Sequence, residues 1–111
     1  MVVWACVPDR NGIIKSEPRP LLITDVHPSN KKGPFVAHCI STRVIDAPND
    51  PVVEMPWDAR TGKGTGLYRH CVVVLRWIVI VEQNQVVDVS GKVEPAFLQH
   101  VLEQVDLLNG L

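Results

Sequence analysis

The chain has 111 residues, of which 46% are hydrophobic, and a formal net charge of −1. This length is typical of one domain, and the apolar fraction is too high for a disordered chain, so a single compact domain over residues 1–111 is expected. The near-neutral charge excludes a protein that binds nucleic acid through its overall charge. The charge is uneven, because residues 1–81 hold ten Lys and Arg against seven Asp and Glu, whereas residues 82–111 hold one Lys against five acids.

Short apolar runs separated by turn-forming residues predict six or seven strands. In chain order they are expected at residues 2–7, 21–24, 35–42, 52–55, 67–72, 78–81 and 86–89, with the join at 73–77 left open. Segments rich in Pro, Gly, Asn and Asp at 8–18, 27–34 and 48–51 predict turns or loops between the first four strands. Residues 56–66 combine a proline and three glycines with Arg60 and Lys63, which predicts a mobile, mildly basic loop.

The last predicted element is an amphipathic helix. Pro95 suits the first helical position, and Gly110 suits the C-terminal cap. Apolar residues recur between them at intervals of three and four and form one stripe: Phe97, Leu98, Val101, Leu102, Val105 and Leu108. This stripe predicts that the helix covers a sheet or an oligomer interface. Many short strands followed by one helix favour a mostly β fold, a small and strongly bent barrel, since closing a sheet removes its exposed edges.

The three cysteines, Cys6, Cys39 and Cys71, lie far apart and form no C-x-x-C pair. This pattern favours reduced, buried thiols in a cytoplasmic protein. A metal site made from them with His38 or His70 is the weaker interpretation, because zinc ligands usually come in close pairs, and no metal or other cofactor is expected. The sequence also lacks the basic head of a signal peptide and an apolar run of the ~20 residues that a membrane helix needs, so no membrane association is expected.

Five segments, taken in order, match the pattern of one known family. They are Val2-Val3-Trp4, then Pro-Arg-Pro-Leu-Leu-Ile at 18–23, Ile-Ser-Thr at 40–42, Thr-Gly-Leu at 65–67 with Val-Val at 72–73, and Gly-Lys-Val-Glu-Pro at 91–95. Together they resemble the PemK/MazF ribonuclease toxins. The resemblance implies an SH3-like barrel, a homodimer and metal-independent cleavage of single-stranded RNA. It also implies a groove across the dimer that takes RNA or an antitoxin peptide.

Cleavage of this type uses the RNA 2′-hydroxyl as the nucleophile and needs a base, an acid and donors for the charge on phosphorus. Arg19, between two prolines, matches the family's arginine, and its guanidinium can hold two phosphate oxygens. The alternative for Arg19 is a solvated surface ion pair. Ser41 and Thr42 are candidates to donate to the phosphate, or alternatively to satisfy local backbone groups. The sequence leaves open which of the two faces the groove.

Arg69 matches a catalytic arginine of one branch of the family, in which an aspartate lies two residues later. Cys71 stands at that place, and a thiol with an ordinary pKa of about 8.5 does not simply replace a carboxylate base. His70 is a candidate substitute, because imidazole titrates near neutrality. Alternation along a strand nevertheless sets His70 on the face opposite Arg69, and His38 on the face opposite Ser41, which favours a structural role for both histidines.

Trp57, Arg60 and Lys63 combine an aromatic ring with two cations, a set that suits single-stranded RNA. The alternative is a solvated loop with Trp57 packed back on the barrel, while Trp4 and Trp77 are expected in the core. The leading hypothesis is therefore a toxin-type endoribonuclease with no DNA partner. The competing hypotheses are a catalytically inactive barrel that binds RNA or a peptide, and a structural domain that assembles through its helix.

Overall fold

The computed structural model of the protein describes residues 1–7, 17–25, 34–42 and 51–110. These residues form six strands and one long helix: β1 (Val2–Ala5), β2 (Arg19–Asp25), β3 (Phe35–Ser41), β4 (Val52–Glu54), β5 (Val72–Val81), β6 (Val86–Gly91) and α1 (Pro95–Asn109). Every paired neighbour is antiparallel, and the sheet order is β4-β5-β3-β2-β1-β6, so β4 and β6 are its edges. The mostly β fold with a C-terminal helix is thus confirmed.

Five predicted strands occur where they were expected, with ends shifted by at most two residues, and the strand predicted at 78–81 is the second part of β5. The strand predicted at 67–72 is wrong, since β5 begins at Val72 and continues without a break to Val81. Leu67 and Cys71 are buried, whereas the three residues between them are all exposed. Three successive exposed side chains do not fit the alternation of a strand. The turns predicted within residues 8–16, 27–33 and 48–50 lie outside the described residues.

The two faces of the sheet carry separate apolar clusters. The helix side includes Val2, Leu22, Ile40 and Val73, and the far side includes Val3, Leu21, Cys39 and Val81. The strand β5 contributes to both clusters because its pairing with β3 is irregular between two pairs, Ile40 with Val73 and His38 with Ile78. From one pair to the next, β5 advances by an odd number of residues and β3 by an even number. The faces to which odd-numbered and even-numbered residues of β5 point are therefore exchanged at this irregularity. Residues 71, 73 and 75 therefore face the helix side, and residues 77, 79 and 81 face the far side.

The helix α1 packs on the sheet through the predicted stripe. Val101 is fully buried in the helix-side cluster, and Phe97, Val105 and Leu108 pack against it. Burial of a valine of this kind stabilises the fold by about 2 kcal/mol. Covering the sheet is therefore one confirmed role of the helix. No helix in the described part of the chain is long and apolar enough to cross a membrane.

The loop between β4 and β5 is anchored rather than free. The Thr65 side chain is fully buried, and its hydroxyl lies 3.0 Å from the Pro56 carbonyl oxygen and 2.7 Å from that of Gly62. The loop also reaches β6, because the Lys92 backbone N–H donates to the Gly64 carbonyl oxygen at 2.8 Å and the Ser90 hydroxyl donates to that of Thr65. These contacts join the β4–β5 end of the sheet to the opposite edge and give it a barrel-like closure.

Candidate functional site

Six solvent-facing or half-buried side chains between β4 and β5 form what we call the edge surface: Trp57, Arg60, Lys63, Tyr68, Arg69 and His70. The last three project outward because Leu67 and Cys71, on either side, are held in the helix-side cluster. Residues 68–70 thus form a short exposed segment with a buried residue at each end. The buried residues fix the backbone, so the exposed side chains have defined positions on the surface.

A tight turn positions the two loop cations. The Asp58 carboxylate accepts hydrogen bonds from the backbone N–H groups of Arg60 at 2.8 Å and Thr61 at 2.9 Å. These bonds, that from Thr61 first, hold the pKa of Asp58 below its usual value and keep the carboxylate ionised. Lys63 follows with a φ of 48°, a left-handed conformation that turns the chain sharply. Arg60 and Lys63 are both exposed as a result.

His70 forms an ion pair or hydrogen bond that the sequence did not suggest. Its Nε2 lies 3.3 Å from Oε1 of Glu54, and the two side chains are 46% and 67% exposed. The ring centroids of His70 and Trp57 are 5.9 Å apart at an interplanar angle of 54°. Trp57 itself is half-buried and packs on the helix-side cluster. His70 is therefore an exposed imidazole between a carboxylate and an indole, and the structural role predicted for it stays a prediction.

The pairing register places further polar side chains in one row on the far side of the sheet. Glu54 and Ser41 both lie opposite Val72, so all three point to the same face. Extending the β2–β3 register from Leu21 opposite Cys39 brings Arg19 opposite Ser41. Arg19 stacks on Trp77, with its guanidinium carbon 4.4 Å from the ring centroid. Glu54, Ser41 and Arg19 thus follow one another across β4, β3 and β2, with β5 between the first two.

The candidate residues do not all gather at one point. Three interstrand spacings separate Arg19 from Glu54 along the sheet, roughly 14 Å. Ser41 is half-buried in the row, whereas Thr42 follows the end of β3 and is exposed. Arg69 is the immediate neighbour of His70 and is exposed. The structure thus brings His70, Trp57 and Glu54 together and places Arg19 at the other end of the row.

Cys71 offers no proton acceptor at the position where the sequence resemblance would place an aspartate. Burial raises the pKa of the Cys71 thiol to about 11, and the nearby charge of Glu54 adds to the effect. The thiol is therefore neutral at physiological pH and is not a proton acceptor. Cys39 and Cys71 are buried as expected, while Cys6 is half-buried. No group of three potential ligands for a metal ion occurs among the described residues.

His38 is the buried counterpart of His70. Its side chain faces the helix side, opposite Leu22 and Ile78, and is only 3% exposed. Nδ1 lies 2.9 Å from the Thr24 hydroxyl oxygen, and Nε2 has no hydrogen-bond partner among the described residues. Burial lowers the pKa of His38, which keeps the imidazole neutral. The predicted placement of His38 on the face opposite Ser41 is confirmed.

Sequence reasoning missed Glu54 and Tyr68. Tyr68 is 56% exposed between Leu67 and Arg69 and adds a second aromatic ring to the edge surface. Glu54 carried one signal, since it is the only charged residue in β4. Its partner, however, is set by the antiparallel pairing of two segments that are far apart in the chain. Sequence comparisons match the chain to no protein-family model and to no curated protein.

Proposed function

We propose that the protein binds single-stranded RNA on the edge surface and cleaves it through the RNA 2′-hydroxyl, as a toxin-type endoribonuclease. One observation carries the proposal: two accessible aromatic rings, Trp57 and Tyr68, share a short segment with three exposed cations, Arg60, Lys63 and Arg69. Bases of a single strand stack on aromatic rings while cations follow the phosphates. This local concentration of positive charge overcomes a net charge of −1.

The row of Glu54, Ser41 and Arg19 on the far side of the sheet extends the edge surface. Ser41 and Arg19 lie beyond Glu54 on successive strands, so a strand of RNA that leaves the edge surface meets a hydroxyl and then a guanidinium. At roughly 14 Å from Glu54, Arg19 serves a neighbouring phosphate rather than the reacting one. A homodimer, an antitoxin peptide on the same groove and a cytoplasmic location belong to the same proposal, through the family resemblance and the odd number and wide spacing of the cysteines.

A pair of matched variants tests the binding half of the proposal. Arg69→Gln and Arg76→Gln each remove one exposed cation, the first on the edge surface and the second in the middle of β5. We expect Arg69→Gln to weaken binding of a labelled single-stranded RNA several-fold and to lower the salt slope by about 0.7, and Arg76→Gln to change neither. Fluorescence anisotropy at several salt concentrations measures both. Equal effects of the two variants would contradict the proposed surface.

Product analysis tests the cleavage half. Incubation of single-stranded RNA with the protein and a metal chelator should give fragments with 2′,3′-cyclic phosphate and 5′-hydroxyl ends. Fragments with other ends would contradict attack by the 2′-hydroxyl. A deoxyribose at the cleaved position should stop the reaction and leave binding in place.

A second function is supported by the state of Cys71. A buried thiol with a pKa of about 11 stands where one branch of the family has its carboxylate. This favours a barrel that binds RNA, or a peptide, without cleaving it. RNA bound tightly and recovered intact identifies this function, and a salt-independent interaction identifies a peptide partner instead.

A further inference from the structure

We propose that His70 is the general base that takes the proton of the attacking RNA 2′-hydroxyl, and that Glu54 is the positioning residue that orients its ring. This assignment rests on the proposed RNA function. It gives the site a carboxylate on β4 in place of the one that is missing at Cys71. It also gives a chemical role to a pair of residues that come from opposite ends of the β4–β5 connection.

The geometry of the pair favours one tautomer of the imidazole. His70 Nε2 lies 3.3 Å from Oε1 of Glu54, and a carboxylate oxygen can only accept, so a proton on Nε2 suits this contact. Nδ1 then has a free lone pair and is the acceptor for a substrate proton. Both side chains are exposed, which gives substrate direct access to that nitrogen. The arrangement is the orienting carboxylate and basic imidazole found in many active sites.

The backbone beneath the pair is held firmly. The strand β4 pairs with β5, so Glu54 lies directly opposite Val72, two residues from His70. Hydrogen bonds close both ends of this pairing, from the Met55 N–H to the Cys71 carbonyl oxygen at 3.0 Å and from the Leu75 N–H to the Pro51 carbonyl oxygen at 3.1 Å. The position of the carboxylate relative to the imidazole is therefore set by the sheet and not by a free loop.

The neighbours of the pair suit the same step. The Trp57 ring packs beside the imidazole and restricts its rotation, and its exposed part offers a surface for a base. Arg69 precedes His70 and is exposed, so its guanidinium is available for the negative charge of the pentacoordinate phosphorus. The nearby Asp58 carboxylate already accepts two backbone hydrogen bonds, which leaves Glu54 as the partner of the imidazole.

The step balances without a metal or an external reagent. The 2′-oxygen attacks phosphorus, the O2′–P bond forms, and the P–O5′ bond breaks with its electron pair on the 5′-oxygen. The proton of the 2′-hydroxyl passes to Nδ1 of His70, and the resulting imidazolium is stabilised by Glu54. A proton from solvent completes the 5′-hydroxyl, and His70 returns its proton to solvent. The products are a 2′,3′-cyclic phosphate and a 5′-hydroxyl, and no water is consumed.

The test compares Glu54→Gln with Glu103→Gln, a matched change of an exposed glutamate on α1. We expect Glu54→Gln to leave the affinity for single-stranded RNA within about two-fold while kcat falls by about 10–100-fold. Glu103→Gln should match the wild type in both measurements.

His70→Ala should lower kcat by about 10²–10⁴-fold, and added imidazole should restore part of the rate. Both side chains are exposed, so thermal unfolding should be nearly unchanged and a folding defect is separable from a catalytic one. A wild-type kcat in Glu54→Gln would overturn the role of Glu54, and undiminished cleavage by His70→Ala would overturn that of His70. Wild-type protein that binds RNA but does not cleave it overturns this inference alone, whereas absence of RNA binding overturns the proposed function.

Discussion

The helix side of the sheet and the edge surface each hold one histidine, and they surround it in opposite ways. On the helix side, His38 is buried opposite Leu22. Among the described residues, one of its ring nitrogens lies 2.9 Å from the Thr24 hydroxyl and the other has no hydrogen-bond partner. At the edge surface, His70 is exposed and faces the Glu54 carboxylate. The first environment favours a neutral imidazole fixed in place, and the second leaves a ring nitrogen open to a ligand.

Substitutions in these two regions are therefore expected to affect different properties of the protein. The interior region contributes stability through burial, so changes there are expected in the free energy of unfolding. The edge surface contributes accessible rings and charges, so changes there are expected in RNA affinity and rate.

The largest effect is expected at Gly91, where β6 meets the loop that carries the edge surface. A Cβ on Gly91 would overlap the Gly64 carbonyl oxygen and lie 2.7 Å from the Thr65 carbonyl carbon, and both are backbone atoms that move only with the loop. We expect Gly91→Ala to lower the free energy of unfolding by about 3 kcal/mol or more. Urea denaturation followed by tryptophan fluorescence measures it.

Gly64→Ala is the matched control for that prediction. The nearest atom to a Cβ there, the Lys92 carbonyl oxygen, is 3.9 Å away, so only the backbone φ of +76° is unfavourable. Its cost should be about 1 kcal/mol. Equal losses in the two variants would show that the contact between loop and β6 does not hold the sheet closed.

The next effect is expected at Trp57, which belongs to both regions. Loss of base stacking in Trp57→Ala should reduce the affinity for single-stranded RNA by about 1–3 kcal/mol, and loss of its packing on the helix-side cluster should also lower stability. Trp57→Phe retains a ring in both roles and should keep most of each. Anisotropy titrations and thermal denaturation separate the two effects, and unchanged RNA affinity in Trp57→Ala would remove the indole from the binding surface.

The smallest effect is expected in the pH dependence of stability. The pKa of His38 is lowered by burial in the folded protein, so the unfolded chain takes up a proton first as the pH falls. The contribution of His38 is fully present above the unfolded pKa of about 6.5 and is lost as the pH falls from there toward the folded value. We expect the free energy of unfolding to fall as the pH drops below about 6.5, measured by urea denaturation across this range.

His38→Asn should flatten this part of the profile, because asparagine does not titrate but still offers an oxygen to the Thr24 hydroxyl. His70→Asn removes an exposed imidazole instead, and in this variant the free energy of unfolding should still fall with decreasing pH as in the wild type. A profile that falls equally in the wild type and in His38→Asn would mean that other groups cause the acid sensitivity.

The fold was largely predictable because its signals are local. Apolar runs and turn residues located five strands within three residues of their observed ends, and the spacing of Phe97, Val101 and Val105 predicted the helix. The irregular run before β5 was missed, since its exposed residues are fixed by the burial of Leu67 and Cys71 and by hydrogen bonds to distant backbone. That part of the structure depends on the closure of the whole sheet.

The candidate site was only partly predictable for the same reason. Trp57, Arg60 and Lys63 stand out in the sequence as one loop, and the structure places them on the edge surface. The contact between Glu54 and His70 depends on how β4 registers with β5, which no local pattern specifies. Strand alternation then gave the wrong surroundings for His70, because the residue lies just outside the strand.

An NMR titration of the isotope-labelled protein with a short single-stranded RNA tests most directly whether RNA binds at the edge surface. We expect the largest chemical-shift changes at the Trp57 indole N–H, the His70 ring and the backbone N–H groups of residues 60–70. The exposed face of α1, including His100 and Glu103, should stay unchanged. Shifts confined to α1, or a His70 ring that does not respond to saturating RNA, would contradict the claim that the edge surface is the RNA site.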